Sequence, residues 1–238
     1  MGKTEEIRKW FGRKKKWLLA LVLLGGCIYG SYTLSRRVAG TQVKTEDVQV
    51  ILDIGHGGSD PGKVGIGNLL EKEVNLQIGL KVKRLLEAEN IAVKLTRETD
   101  AGTGKDAGGS SKVEDMKARV ALINELKPQI AVSIHQNSYQ DPAVKGAQVF
   151  YYSHSDTGEK FAAILQEELR RIDTENHRQI KENDTYYLLK RTEVPTVIVE
   201  CGFLTNPEEA EKLAGEDYQE QVAQAVTEGI KKCLREAK

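Results

Sequence analysis

The sequence predicts an α/β fold: a single domain with a mixed, twisted sheet of about six strands and helices on both faces, preceded by an N-terminal transmembrane or signal helix. Short apolar segments rich in Val and Ile alternate along the chain with longer segments of helical periodicity, which predicts the domain. The uncharged run of residues 17–34 predicts the N-terminal helix. The predicted organisation is therefore a basic segment with this helix in residues 1–34, a polar linker in 35–47, and a folded domain in 48–238.

The apolar run of residues 17–34 is just long enough to cross a bilayer core as a helix. Seven Lys or Arg residues precede it, and such a cluster stays in the cytoplasm, so we expect the rest of the chain to be exported. An uncleaved anchor, a cleaved signal peptide and a lipoprotein signal processed at Cys27 all remain open. We favour the anchor, because no convincing cleavage site follows the run.

The charge of the remaining chain argues against nucleic acid as a partner. The whole sequence carries 35 basic and 35 acidic residues, but residues 35–238 hold 28 basic and 33 acidic ones, a net charge of −5. A mildly acidic body lacks the positive charge that supplies most non-specific affinity for phosphate backbones. Only Cys201 and Cys233 lie beyond the apolar run, so we expect buried thiols rather than a disulfide framework.

The elements of the domain follow from periodicity and from turn residues. Residues 48–54 form an apolar strand, residues 55–67 a glycine-rich loop, and residues 71–89 a helix with apolar positions at steps of three and four. The other predicted elements are strand 91–96, loop 98–112, helix 113–125, strands 130–134 and 148–152, helix 158–172, strands 185–190 and 196–199, and helices 206–213 and 218–234. Loop 98–112 is interpreted as a mobile linker or as a loop that folds over substrate.

Three polar residues come directly after apolar strands of the predicted sheet: His56, His135 and Glu200. Ligands collect at the carboxyl ends of strands in such sheets. Two imidazoles and one carboxylate are the minimal ligand set of a catalytic zinc site, and a further carboxylate is needed to move protons. Glu71, at the start of the helix after the glycine loop, and Glu200 are the candidates for these two carboxylate roles, and the residue pattern leaves their assignment open.

The motifs around these residues resemble those of zinc-dependent N-acetylmuramoyl-L-alanine amidases. They are Gly-His-Gly-Gly around His56, Glu-Lys-Glu-Val-Asn-Leu from Glu71, Thr96-Arg97, Ser-Ile-His-Gln-Asn around His135, and Val-Glu-Cys-Gly-Phe-Leu-Thr-Asn around Glu200. The resemblance covers nearly all of residues 48–234. Segments 146–151, 186–190 and 199–202 look most like the germination-specific amidases of spore formers.

The resemblance implies a site and a reaction. His56, Glu71 and His135 are expected to bind one Zn²⁺, and Glu200 is expected to be the catalytic acid and base. The substrate would be peptidoglycan, cut at the amide between N-acetylmuramic acid and L-alanine, in spore cortex modification (muramic lactam formation) and germination. One departure from the family pattern is Ile54, which stands where many relatives have proline.

Two other functions remain open beside this one. A zinc peptidase could cut a different bond, and a peptidoglycan-binding protein with an idle or partner-dependent site could retain the same motifs. The expected partners are peptidoglycan, the membrane through the N-terminal helix, and, as a candidate, an accessory sporulation protein. Asp53 and Asp60 are candidates to orient His56, whereas His154 and His177 are expected at the surface.

Overall fold

A computed structural model of the protein describes residues 48–103 and 111–237. The strands are β1 (Val50–Ile54), β2 (Val93–Leu95), β3 (Ile130–Asn137), β4 (Gln148–Tyr152), β5 (Lys181–Asn183) and β6 (Thr196–Phe203). The α-helices are α1 (Glu71–Ala88), α2 (Lys112–Leu126), α3 (Asp156–Ile172), α4 (Tyr187–Arg191), α5 (Pro207–Ala214) and α6 (Glu216–Glu236), and a short 3-10 helix spans Ile66–Asn68.

The six strands form one mixed sheet in the order β2-β1-β3-β6-β4-β5. β1 pairs in parallel with β2 and β3, β3 pairs in parallel with β6, and β4 runs antiparallel to β6. β1, β3 and β6 are therefore adjacent parallel strands in the middle of the sheet, and their carboxyl ends lie side by side. The predicted single α/β domain with a mixed sheet of six strands is confirmed.

Side chains of the central strands alternate between two apolar layers, as the two-residue period of a strand requires. Val50, Leu52 and Ile54 pack into a large cluster with α1, α3 and α6, whereas Ile51 packs into a smaller cluster with α2 and α4 on the opposite face. Both faces of the sheet are thus covered by helices. The polar residues near the carboxyl ends of the central strands lie outside these two apolar layers.

The prediction of a strand at residues 185–190 is wrong. The strand is β5, and it ends at Asn183, whose side-chain oxygen accepts hydrogen bonds from the backbone N–H groups of Thr185 (2.8 Å) and Tyr186 (2.7 Å). This turn starts α4, in which the adjacent residues Leu188 and Leu189 are both buried. Two consecutive buried residues fit one turn of a helix against a sheet, whereas the side chains of a strand point alternately to opposite faces.

The predicted N-terminal helix at residues 17–34 and the linker at 35–47 lie outside the described residues, as do residues 104–110 of the predicted loop. Among the described helices, none combines the length and the apolar character needed to cross a membrane. The division of the chain at residues 34 and 47 stays a prediction.

Gly229 lets α6 approach α3, which gives a test of the packing. A Cβ atom at position 229 would lie 2.5 Å from Leu165 Cδ2 and 3.3 Å from Leu165 Cα. Gly229→Ala should lower the free energy of unfolding by about 1–3 kcal/mol through overpacking, although alanine is the better helix former. Urea unfolding measures this. The exposed Gln224→Ala on the same helix should change stability by less than about 0.5 kcal/mol, and a stabilised Gly229→Ala would contradict the packing.

Candidate active site and metal centre

Three of the predicted site residues lie together at the carboxyl edge of the sheet. His56 is in the turn after β1, Glu71 is the first residue of α1, and His135 is near the end of β3. Glu71 Oε1 is 3.1 Å from His56 Nε2 and 2.9 Å from His135 Nδ1. One nitrogen or oxygen from each residue lies within 4.8 Å of the others, a spacing that a single metal ion can bridge.

His56 is held in a conformation that is rare for a residue with a side chain. Its φ angle is 62°, in the left-handed region, and such strain persists only where surrounding contacts impose it. Asp60 Oδ2 lies 2.8 Å from His56 Nδ1, so Nε2 is the nitrogen that faces Glu71. Burial alone would raise the pKa of Asp60, but the hydrogen bond with His56 lowers it. The predicted role of Asp60 as an orienting residue therefore has a geometric basis.

Glu71 is a buried carboxylate whose hydrogen bonds favour the charged form. The Lys63 backbone N–H donates to its Oε2 (2.8 Å) and the Gln136 backbone N–H donates to its Oε1 (3.1 Å). Burial raises the pKa of Glu71, but hydrogen bonds and charge from His135 and His56 outweigh it and hold the pKa well below its usual range. A carboxylate that stays ionised is what a metal ligand requires.

Glycines allow the two histidines and Glu71 to approach the backbone. A Cβ on Gly55 would overlap the His135 imidazole, and a Cβ on Gly62 would lie 2.5 Å from Glu71 Oε2. Gly62 also has a φ of 69°, which other residues seldom adopt. The glycine-rich turn is therefore part of the site rather than a simple connection.

Asp53 supports the site in a different way from the one the sequence suggested. It contacts Arg119 rather than His56: Arg119 Nη1 donates to Asp53 Oδ1 (3.2 Å), and Ser133 Oγ donates to Asp53 Oδ2 (2.6 Å). Arg119 also donates to the carbonyl oxygens of Ile54 (2.8 Å) and His56 (2.6 Å). Asp53 thus orients an arginine that holds the backbone of the histidine turn.

Arg97 and Arg119 were not singled out from the sequence as residues that hold this turn. Arg97 donates to the carbonyl oxygens of Ile54 (3.2 Å), Gly55 (3.1 Å) and Lys72 (2.7 Å). Both arginines are buried, with 5% and 1% of their surfaces exposed. The sequence does indicate burial of Arg119, because this residue lies three positions after Met116 and one before Val120, on the apolar side of a predicted helix.

Glu200 lies beside this cluster on β6, paired in register with His135 on β3. It is 8% exposed, and its Oε2 has no hydrogen-bond partner in the described part of the chain. Burial raises the pKa of Glu200 to about 7; the neighbouring His135 opposes this shift and Glu71 adds to it. A buried carboxyl with a pKa near neutrality can both accept and return a proton.

His135 and Glu200 lie inside longer strands than the sequence predicted, since β3 runs to Asn137 and β6 to Phe203. All four site residues line one cavity of about 470 Å³, which Tyr186 and Tyr187 also line. Partial burial raises the pKa of Tyr186, and the charges of Glu200 and Glu71 raise it further. The cavity thus combines a cluster of metal-ligand groups, a buried acid and an aromatic lining, as a substrate site requires.

Residues 50–232 match the family described as N-acetylmuramoyl-L-alanine amidase. The chain belongs to this amidase family. It is 39% identical over 184 residues to the germination-specific N-acetylmuramoyl-L-alanine amidase of Bacillus subtilis (strain 168), an alignment that covers 76% of this chain and 77% of the relative.

Solved structures agree with the family. The CwlD amidase from Clostridioides difficile, determined in complex with the GerS lipoprotein, is 38% identical with a TM-score of 0.75, over 79% of this chain and 98% of that chain. The catalytic domain of the amidase CwlV from Bacillus (Paenibacillus) polymyxa var. colistinus is 31% identical with a TM-score of 0.69, over 78% and 97%. The protein is therefore a peptidoglycan amidase, and the family is metal-dependent.

The two remaining histidines and the two cysteines of the domain do not line the cavity. His154 and His177 are exposed, as predicted. Cys201 and Cys233 are buried free thiols, and burial raises the pKa of both, to about 12 for Cys233, so neither is a reactive nucleophile at neutral pH.

Loss of Arg119 should destabilise the amidase strongly. Arg119→Met leaves the buried Asp53 charge without its cation, and we expect a loss of about 3–5 kcal/mol of unfolding free energy. The control is Arg84→Met, which removes an exposed ion pair to Glu220 (2.6 Å) and should cost less than about 1 kcal/mol. Urea unfolding at pH 7 compares the two variants, and equal losses of unfolding free energy would contradict a stabilising role for the Arg119–Asp53 pair.

Proposed function

We propose that this amidase hydrolyses the bond between N-acetylmuramic acid and L-alanine with one Zn²⁺ held by His56, Glu71 and His135, and with Glu200 as acid and base. The observation that carries the proposal is the buried Glu200 carboxyl, without a hydrogen-bond partner for Oε2 in the described residues, beside three clustered ligand groups. Unpaired buried carboxyls are costly and are retained where they act in chemistry.

The donor set fits zinc. Two imidazole nitrogens and one carboxylate oxygen are the ligands of many catalytic zinc sites, which keep a further position open. Asp60 holds the other nitrogen of His56, as carboxylates commonly do for ligating histidines. When bound, the ion supplies a Lewis acid that polarises the scissile carbonyl and acidifies water.

Glu200 performs the proton transfers in this proposal. Its carboxylate accepts a proton from the attacking water, and the resulting carboxylic acid returns that proton to the amine of L-alanine as the C–N bond breaks. Burial raises the pKa of Glu200, which makes its carboxylate a better proton acceptor for the first transfer, and the nearby imidazoles lower that pKa, which keeps the charged form accessible and lets the acid release the proton in the second. Glu71 is unsuited to this role because its hydrogen bonds hold it ionised.

We also propose a setting for the reaction, in spore cortex modification and germination. The name of the Bacillus subtilis relative supports it, at 39% identity. Export past a membrane anchor at residues 17–34 fits an enzyme that acts on cell-wall material. The Clostridioides difficile amidase was solved with a lipoprotein, which supports the proposal that an accessory protein also assists this chain.

Replacement of Glu200 separates catalysis from metal binding. Glu200→Gln keeps the shape of the side chain but cannot accept a proton, so we expect retained zinc and a kcat reduced by at least about 100-fold. Mass spectrometry of muropeptides measures release of the stem peptide, and elemental analysis measures zinc. The matched control is the exposed Glu211→Gln, which should have normal turnover. Substantial turnover by Glu200→Gln would refute the assignment.

Replacement of His135 tests the ligand set. His135→Ala removes one of three ligand groups, so we expect the purified protein to lose most of its zinc. His154→Ala removes an exposed histidine and should leave about one zinc per chain. Normal zinc content in His135→Ala would exclude His135 as a ligand.

The same measurements on the wild type test the two alternative functions. Cleavage of plain peptides by the wild type would favour the peptidase, and a wild-type protein that binds peptidoglycan but contains no zinc would favour the idle or partner-dependent protein.

A further inference from the structure

A second cavity adjoins the catalytic one. The second cavity, of about 500 Å³, is lined by Lys63, Ser138, Tyr139, Gln140 and Thr205. Lys63 and Ser138 line both cavities, so they stand at the boundary between them. A substrate that reaches away from the scissile amide in this direction must pass Lys63.

The backbone of Lys63 is tied directly to the proposed zinc ligand Glu71. Its N–H donates to Glu71 Oε2 (2.8 Å), and its carbonyl oxygen accepts a hydrogen bond from the Glu71 N–H (3.0 Å). The position of Lys63 relative to the metal centre is therefore fixed by two hydrogen bonds. The Lys63 side chain therefore starts from a backbone position that is fixed beside the metal centre.

The ammonium group of Lys63 differs from its neighbours in having no acidic partner. Lys112 pairs with Asp60 (3.2 Å) and Lys72 pairs with Asp100 (2.7 Å). Within residues 48–103 and 111–237, Lys63 forms neither an ion pair nor a side-chain hydrogen bond, although the body of the protein is acidic overall. Its charge is thus available to an anionic ligand.

The two sides of the substrate differ in charge. The lactyl carboxyl group of N-acetylmuramic acid is consumed in the scissile amide, so the glycan side offers no carboxylate, whereas the stem peptide carries free carboxylates. Resting on the function proposed above, we propose that Lys63 binds the glutamyl α-carboxylate of the stem peptide, so that the peptide leaves through the second cavity. Lys63 is then a specificity-determining residue that favours acidic stem peptides over amidated ones.

Two matched substrates test this role. They are N-acetylmuramyl-L-alanyl-D-glutamyl peptide with its glutamyl α-carboxylate free and the same compound with that group amidated. Lys63→Met should raise KM for the free acid about tenfold with kcat unchanged, and should leave KM for the amide unchanged. Lys63→Arg should retain the preference because it keeps the charge. Lys231→Met, at the distant end of α6, controls for the loss of one positive charge and should behave like wild type.

Binding measured without turnover separates this proposal from the proposed function. In the zinc-loaded Glu200→Gln full-length chain, calorimetry should show a Kd for the free acid that rises about tenfold when Lys63→Met is added. If the wild type cleaves both compounds and Lys63→Met changes KM for neither, the role of Lys63 is overturned but the proposed reaction stands. If the wild type cleaves neither compound but Lys63→Met still raises the Kd for the free acid only, the proposed reaction is overturned and the carboxylate-binding role of Lys63 stands. Equal weakening for both compounds would also overturn the role of Lys63.

Discussion

Burial of the Glu71 charge is the constraint on which the active-site edge of this protein depends. An ionised carboxylate that is 2% exposed is tolerated only where donors surround it. Here the donors come from the loop after β1, through Lys63 and His56, and from β3, through His135 and Gln136. The start of α1, the loop and the strand are therefore fixed to one another by a single side chain.

Two buried arginines, Arg97 and Arg119, place positive charge next to the site. Arg97 and Arg119 both donate to backbone carbonyl groups of the histidine turn, and Arg119 is balanced by Asp53 and Asp115. Burial lowers the pKa of Arg97 to about 10, and the neighbouring Arg119 contributes to that shift. The guanidinium groups thus hold a strained turn while two aspartates offset charge that would otherwise repel a bound cation.

The sequence was sufficient for the features that depend on local pattern. The apolar run of β1 and the periodicity of α1 predicted those elements closely, and the strand ends predicted where His56, His135 and Glu200 would meet. The roles of Glu71 and Glu200 could not be separated from the pattern alone, because the difference lies in hydrogen bonds from Lys63 and Gln136 that exist only after folding. The helix α4 was missed for a similar reason, since the Asn183 turn and the burial of Leu188 and Leu189 are tertiary effects.

The three ligand groups are separated along the chain by 15 and 64 positions and belong to three different elements. An ion that binds all of them acts as a cross-link between the turn after the first strand, the helix that follows it and the third strand, and only the folded chain brings the groups together. Metal affinity and conformational stability then become one linked equilibrium. A chelator would act on this enzyme as a denaturant as well as an inhibitor, and a scarce metal supply would shorten the lifetime of the folded protein.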